Sequence, residues 1–200
     1  NAGMINKLTD DYTNDFGGVC GYNTGTIIDC YNTGNVSGVA FNGGVCGDND
    51  GTIINCYNTG GVSGDYHVGD ICGDNYGATV TNCYYLSDTE IDHKDGTVGK
   101  TKEQFANGEV AYLLQADRTE TIWGQTIGTD LYPVLGGKKV YQNREYDSCD
   151  ESGNVVAYLY SNEQENKYTH TLVKTDRKAD CVTAGEDEYW TCSVCRKRFS

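Results

Sequence analysis

The residues best suited to chemistry lie at the end of the chain. His170, Cys181, Cys192 and Cys195 follow the spacing H-x10-C-x10-C-x2-C. Two cysteines separated by two residues form a knuckle whose thiolates reach one ion at tetrahedral angles. A distant cysteine and histidine complete a Cys3His set of the kind that holds structural zinc. Zinc would also supply folding free energy that a tail of about 30 residues cannot draw from its own core. The same residues allow a disulfide pair, or free thiols with His170 a bystander. The zinc reading is preferred because the C-x2-C knuckle is the sharper signal. Cys149 fits neither scheme.

A second constellation is acidic. Asp48 and Asp74 stand 26 residues apart, with Asp50, Asp65 and Asp70 nearby. Two carboxylates on one face could share acid–base work or bind calcium. Asp and Asn beside Gly are also ordinary turn residues, and Tyr22 occupies the equivalent place one copy earlier. The turn reading is preferred. Neither a Ser/His/Asp arrangement, a phosphate loop nor a dinucleotide fingerprint is legible, so the chain reads as a non-enzyme. His67 and His93 are expected in surface loops.

The elements that position these residues are set by an internal repeat. Gly17-Gly18-Val19-Cys20-Gly21 recurs as Gly43-Gly44-Val45-Cys46-Gly47 and, degraded, as Gly69-Asp70-Ile71-Cys72-Gly73, with a step of 26 residues. Gly25-Thr26-Ile27-Ile28-Asp29-Cys30-Tyr31-Asn32-Thr33-Gly34 recurs as Gly51-Thr52-Ile53-Ile54-Asn55-Cys56-Tyr57-Asn58-Thr59-Gly60. The third copy, Gly77 to Tyr84, carries Ala78 as an insertion. Short β-prone runs at a fixed step, punctuated by Gly and Asn, predict stacked coils that bury their apolar sides on one another. Successive coils should pair as parallel strands about 4.8 Å apart. Val19/Val45/Ile71 and Ile27/Ile53/Val80 are expected to point inward. Tyr31/Tyr57/Tyr84 should stack as an aromatic row and Asn23/Asn49/Asn75 as an amide row, with a corner or bulge near Ile28 and Asp29. The tyrosine row is a platform for sugar or peptide if outward, and structural if packed under a cap; the structural role is preferred. The six cysteines in the repeat form two ladders, Cys20/Cys46/Cys72 and Cys30/Cys56/Cys83. They are read as small buried hydrophobes, although stacked neighbours are also close enough for inter-coil disulfides.

The pattern GGVCG…GTIINCYNTGGVSG, over residues 16 to 86, resembles the GLUG repeat of surface and secreted proteins of gut bacteria and of non-catalytic regions in some immunoglobulin A proteases. The resemblance implies a β-helix in an adhesin-like or protease-associated exoprotein, and no active site. An anaerobic habitat, also implied, would permit free thiols. The stretch EQFANGEVAYLL…WGQTIGTDLYPVLGG is similar to segments that follow such arrays in Firmicutes exoproteins. The segment from His170 to Ser200 resembles short Firmicutes surface modules with the same His, Cys and C-x2-C placement. It implies zinc at His170, Cys181, Cys192 and Cys195.

After Cys83 the repeat stops. Thr101-Lys102-Glu103-Gln104 matches a capping box, predicting one or two short helices over 102–115, broken or kinked at Gly108. Residues 87–142 are read as cover for the open edge of the terminal coil. A modest strand is expected at Val155–Tyr160. The fold class is therefore mainly β: a short parallel β-helix of about 26 residues per coil, a small α/β cap and a metal-knuckle-like tail. The expected divisions are 1–86 solenoid, 87–142 cap, 143–169 linker or first hairpin of the tail, and 170–200 zinc module.

Composition narrows the function. Gly is 26 and Tyr 16 of 200 residues, with a single Pro, a turn-and-strand usage. The net charge of −14 disfavours nucleic acid and anionic lipid. No apolar run approaches the roughly 20 residues of a membrane span. Beginning at Asn1 and ending at Phe199-Ser200, the chain is expected to be an internal piece of a longer polypeptide, extracellular or at the cell surface. Its expected partners are a host glycan or protein, a cell-wall polymer, and other domains of the same chain. The leading reading is a non-enzymatic structural or adhesive module; the alternative is an accessory region of a larger secreted protease or polysaccharide-active enzyme.

Overall fold

The structure is a computed structural model, and it describes residues 5–6, 15–88, 91–93, 96–144, 158–164, 172–177, 186–192, 196 and 198–199. The chain divides into two compact units, Asn1–Lys139 and Val140–Ser200.

The first unit is a stack of parallel coils. The first coil runs through strands Phe16–Gly17, Cys20–Asn23, Thr26–Ile28, Tyr31–Asn32 and Val36–Ser37. The second runs through Asn42–Gly43, Cys46–Asn49, Thr52–Ile54, Tyr57–Asn58 and Val62–Ser63. The third runs through Val68–Gly69, Cys72–Asp74, Thr79–Thr81 and Cys83–Leu86. Each strand pairs in parallel with its counterpart, as in Cys20↔Cys46↔Cys72 and Ile27↔Ile53↔Val80. Register follows the sequence repeat because a slip of one residue would turn every inward side chain out. The Ala78 insertion is absorbed between strands: Asp74 still faces Asp48, while Thr79 faces Thr52.

Strands stay short because the coil must turn. The corner expected near Asp29 is present, and Asp29, Asn55 and Asn82 take φ of 52°, 54° and 52°. Asn and Asp tolerate this left-handed conformation best among non-glycine residues. The Gly-Gly step serves close approach: a Cβ on Gly43 would lie 1.6 Å from the Cys46 carbonyl oxygen. The amide row is formed, with Asn23 Nδ2 donating to Asn49 Oδ1 at 2.6 Å and Asn49 to Asn75 at 2.7 Å. A second amide rung, not foreseen, joins Asn32 to Asn58 at 2.9 Å. Asn23, Asn32, Asn49 and Asn58 also accept from the backbone two residues on, as in Gly25 N to Asn23 Oδ1, so one side chain both closes a turn and ties two coils.

Ile27, Ile53 and Val80 point inward as expected, at 6%, 0% and 8% exposure. Val45 and Ile71 do too, but Val19 is 42% exposed. Val19 lies in the turn between strands Phe16–Gly17 and Cys20–Asn23 of the first coil, where it stays outside the core that Val45 and Ile71 join.

The expected capping box is present. The Thr101 hydroxyl accepts from Gln104 N, and Thr101 N donates to the Gln104 side chain. Helix α1 spans Lys102–Ala106 and α2 spans Glu109–Gln115, divided by Gly108 at φ 94°. The residues read as cover lie in two places. Strand Thr97–Lys100 extends the sheet of the last coil, and Ile91–His93 pairs antiparallel with it. His93 thus ends a strand, not a loop. The helices and strand Trp123–Gly124 cover the side of the stack: Phe105, Val110, Leu114 and Trp123 bury themselves on Tyr57 and Tyr84.

The second unit holds an antiparallel pair, Tyr141–Arg144 with Tyr158–Ser161. It also holds a three-stranded antiparallel sheet of Leu172–Arg177, Glu186–Cys192 and Arg198–Phe199.

Candidate functional site

Past the Asp29/Asn55/Asn82 corner the chain enters the short strands that carry the tyrosine row. Tyr31 and Tyr57 stack with ring centroids 5.2 Å apart and planes 10° from parallel; Tyr84 takes the next in-register place. Trp123 meets Tyr57 at 5.5 Å and Tyr31 edge-on at 6.0 Å, and Phe105 meets Tyr57 at 5.7 Å. Tyr57 is 1% exposed and donates its hydroxyl to the Pro133 carbonyl at 2.7 Å. Burial, then Tyr31 and Tyr132, push its pKa upward, so it remains a phenol donor. The row lies under the cap, where the structural role applies.

Asp29 locks this arrangement. Arg118 Nη1 contacts both Asp29 carboxylate oxygens at 2.8 Å, and the Trp123 indole N–H donates to Asp29 Oδ1 at 2.9 Å. Arg118 also donates to the Leu114 and Gln115 carbonyls at the end of α2. Sequence reasoning missed this clamp. Its one signal was a carboxylate where the other two copies carry Asn55 and Asn82.

Where the tyrosine row ends against the cap, a groove of about 470 Å³ opens. Tyr31, Tyr132 and Val134 supply accessible apolar surface beside the buried Tyr57 and Pro133, and Thr33 and Asp130 supply polar groups. Its outer wall is fixed by Gln125, whose amide donates to the Phe105, Ala106 and Asp130 carbonyls. Asp130 in turn accepts from Thr126 N at 2.6 Å. Leu131 stands on this wall 57% exposed. An open cleft with aromatic groups and a few oriented polar groups offers the kinds of surface that small ligands use. Leu131 and Tyr132 were read only as part of a short apolar segment of the cap.

The aspartates form a different surface. Tyr22, Asp48 and Asp74 are in register. Burial raises the Asp48 pKa, with Asp50, Asp15 and Asp74 adding to it. Asp50 accepts the Tyr22 hydroxyl. Asp74 accepts from Asn75 N at 2.9 Å and lies 3.4 Å from His67 Nδ1. The His67 ring stacks on Phe41. Among the described residues no group of three or more His, Cys, Asp or Glu is placed to hold a metal ion.

The two cysteine ladders are free thiols packed into the core between Val45, Ile53 and Ile71. Each donates to a carbonyl two residues away in its own coil, as in Cys46 to Asp48 at 3.0 Å and Cys56 to Ile54 at 3.2 Å. Of the tail set, Cys192 is buried at the end of its strand. His170, Cys181 and Cys195 lie outside the described residues, as does Cys149.

No curated protein and no solved structure matches the chain. Residues 12–37 match the family model of the GLUG motif. That match covers the first coil, whose strands recur in parallel register in the next two; the chain carries a GLUG motif at residues 12–37 within a repeated parallel coil.

Proposed function

We propose that this chain is a non-catalytic, ligand-binding module of a secreted or surface-displayed bacterial repeat protein, whose ligand is a host or cell-wall glycan. The observation that carries the reading is the groove beside the tyrosine row, where aromatic faces, threonine hydroxyls and a fixed carboxylate meet. Sugar rings offer apolar C–H faces to aromatic side chains and hydroxyls to polar rims. The acidic surface favours neutral over polyanionic glycans. The array of coils serves as the rigid support.

The test is binding of the intact chain to N-acetylglucosamine oligomers and to neutral host-type glycans on an array. Leu131→Asp and Tyr132→Ala should weaken the bound signal about tenfold or more, while the exposed Tyr76→Ala should not. Absence of binding to every glycan overturns the reading. So does hydrolysis of a polysaccharide that is lost on Asp48→Asn or Asp74→Asn. For the tail, the proposal is one structural zinc held by His170, Cys181, Cys192 and Cys195. Mass spectrometry of reduced protein should find one zinc per chain, lost on Cys192→Ser; no metal in the parent protein rejects it.

A further inference from the structure

Six of the ten cysteines stand in two rows across the coils, and all six are thiols. Cys20, Cys46 and Cys72 are in parallel register. Cys30, Cys56 and Cys83 immediately precede the in-register tyrosines Tyr31, Tyr57 and Tyr84. In-register residues on neighbouring parallel strands have Cα atoms about 4.8 Å apart, inside the range of about 4.4–6.8 Å that a disulfide spans. Cys30 N also donates to Cys56 Sγ at 3.4 Å, which places the two residues together. Neighbouring thiols within a row interact, Cys46 with both Cys20 and Cys72, and Cys56 with both Cys30 and Cys83.

Access divides the rows. Cys46, Cys56 and Cys83 are 0% exposed, while Cys20, Cys30 and Cys72 are half-buried. We propose that the rows are sites of oxidative cross-linking between coils, in which a half-buried outer thiol takes up a small disulfide oxidant and the buried middle thiol, Cys46 or Cys56, resolves it. The outer thiolate attacks one sulfur of the oxidant, breaks its S–S bond and expels one thiolate. The middle thiol then loses its proton and attacks the outer cysteine's sulfur. The mixed disulfide breaks, and the second oxidant thiol leaves. Two protein thiols become one disulfide, and one oxidant disulfide becomes two thiols.

A row of three holds one such bond, so each row keeps one thiol. In the second row only Cys30 is open to solvent, so the bond is Cys30–Cys56 and Cys83 stays reduced. In the first row Cys46 bonds to Cys20 or to Cys72. Burial also raises the pKa of Cys20 and Cys30, so cross-linking quickens as pH rises.

The experiment incubates the full chain, folded, with oxidised glutathione at pH 8, alkylates remaining thiols and maps the peptides by mass spectrometry. The expected products are Cys30–Cys56, and Cys46 joined to Cys20 or Cys72, with Cys83 alkylated. Cys30→Ala, at a half-buried position, should leave Cys56 and Cys83 both alkylated while the first row still closes. Circular dichroism on the same samples establishes that the fold is kept. Recovery of all six as thiols, a bond between the two rows, or a bond containing Cys83 in the folded protein overturns the proposal.

Discussion

Replacing Asp29 in two ways separates the three tasks assigned to it. Asp29→Ala puts alanine at a φ of 52°, which costs about 1 kcal/mol in the left-handed region. It removes the acceptor of the Trp123 indole N–H at 2.9 Å from a side chain that is 0% exposed, worth about 1–3 kcal/mol. It also removes the partner of Arg118; those side chains are 21% and 27% exposed, so solvent screening holds this loss to about 1 kcal/mol. The total is about 3–5 kcal/mol. Asp29→Asn keeps the corner, since Asn55 and Asn82 already occupy it at 54° and 52°. Its amide oxygen can still accept from the indole, so only the charge is lost, about 1 kcal/mol. The assay is equilibrium urea unfolding in a Trp190→Phe background, so that Trp123 alone reports. A gap of about 2 kcal/mol or more between the variants is expected. Equal losses, or a loss under about 1 kcal/mol for the alanine variant, would refute the account of the clamp.

Other consequences concern the core, the tyrosine row and the acidic surface. Both side-chain polar atoms of Asn42 are buried without a hydrogen-bond partner, and its row neighbours are Phe16 and Val68. Asn42→Val should raise unfolding stability by about 1 kcal/mol or more; a destabilised variant would show that the amide is satisfied. Tyr57→Phe leaves the Pro133 carbonyl without its donor at 2.7 Å, and thermal unfolding should register a loss of about 1 kcal/mol. An unchanged melting temperature would mean that the hydroxyl is not bound there. Asp48 has its pKa raised above the usual value by burial and then by Asp50, Asp15 and Asp74. Between the unfolded and folded values the native state holds the extra proton, so this group's contribution to stability falls as pH rises through that window. Asp48→Asn should raise the melting temperature at pH 7, with the gain shrinking toward pH 4. A gain that grows as the pH falls contradicts the sign.

Much of the solenoid was legible because a 26-residue step fixes register without knowledge of the coil's shape. The Asn23/Asn49/Asn75 row, the inward Ile27/Ile53/Val80 row and the Asp29 corner all follow from copies held at equivalent places. The capping box at Thr101 was legible because its hydrogen bonds are local. What escaped was non-local. Arg118 reaches Asp29 across 89 residues, and no local pattern encodes that pairing. The cap's apolar residues announced a buried face but not which side of the stack receives it. Val19 repeats Val45 in sequence, but in the first coil that turn position is exposed, and no local pattern marks the difference. The groove arises from Tyr31, Tyr57 and Tyr132 of separate segments, each with an ordinary packing role when read alone.

The proposed role rests on the groove, and the most direct measurement maps contacts on the isotope-labelled chain by nuclear magnetic resonance during titration with N-acetylglucosamine oligomers. Shifts concentrated at Thr33, Leu131 and Tyr132, with Tyr22, Asp48 and Tyr76 unmoved, are the predicted result. Shifts centred on Asp48 and Asp74, or no shifts at any oligomer length, would contradict it.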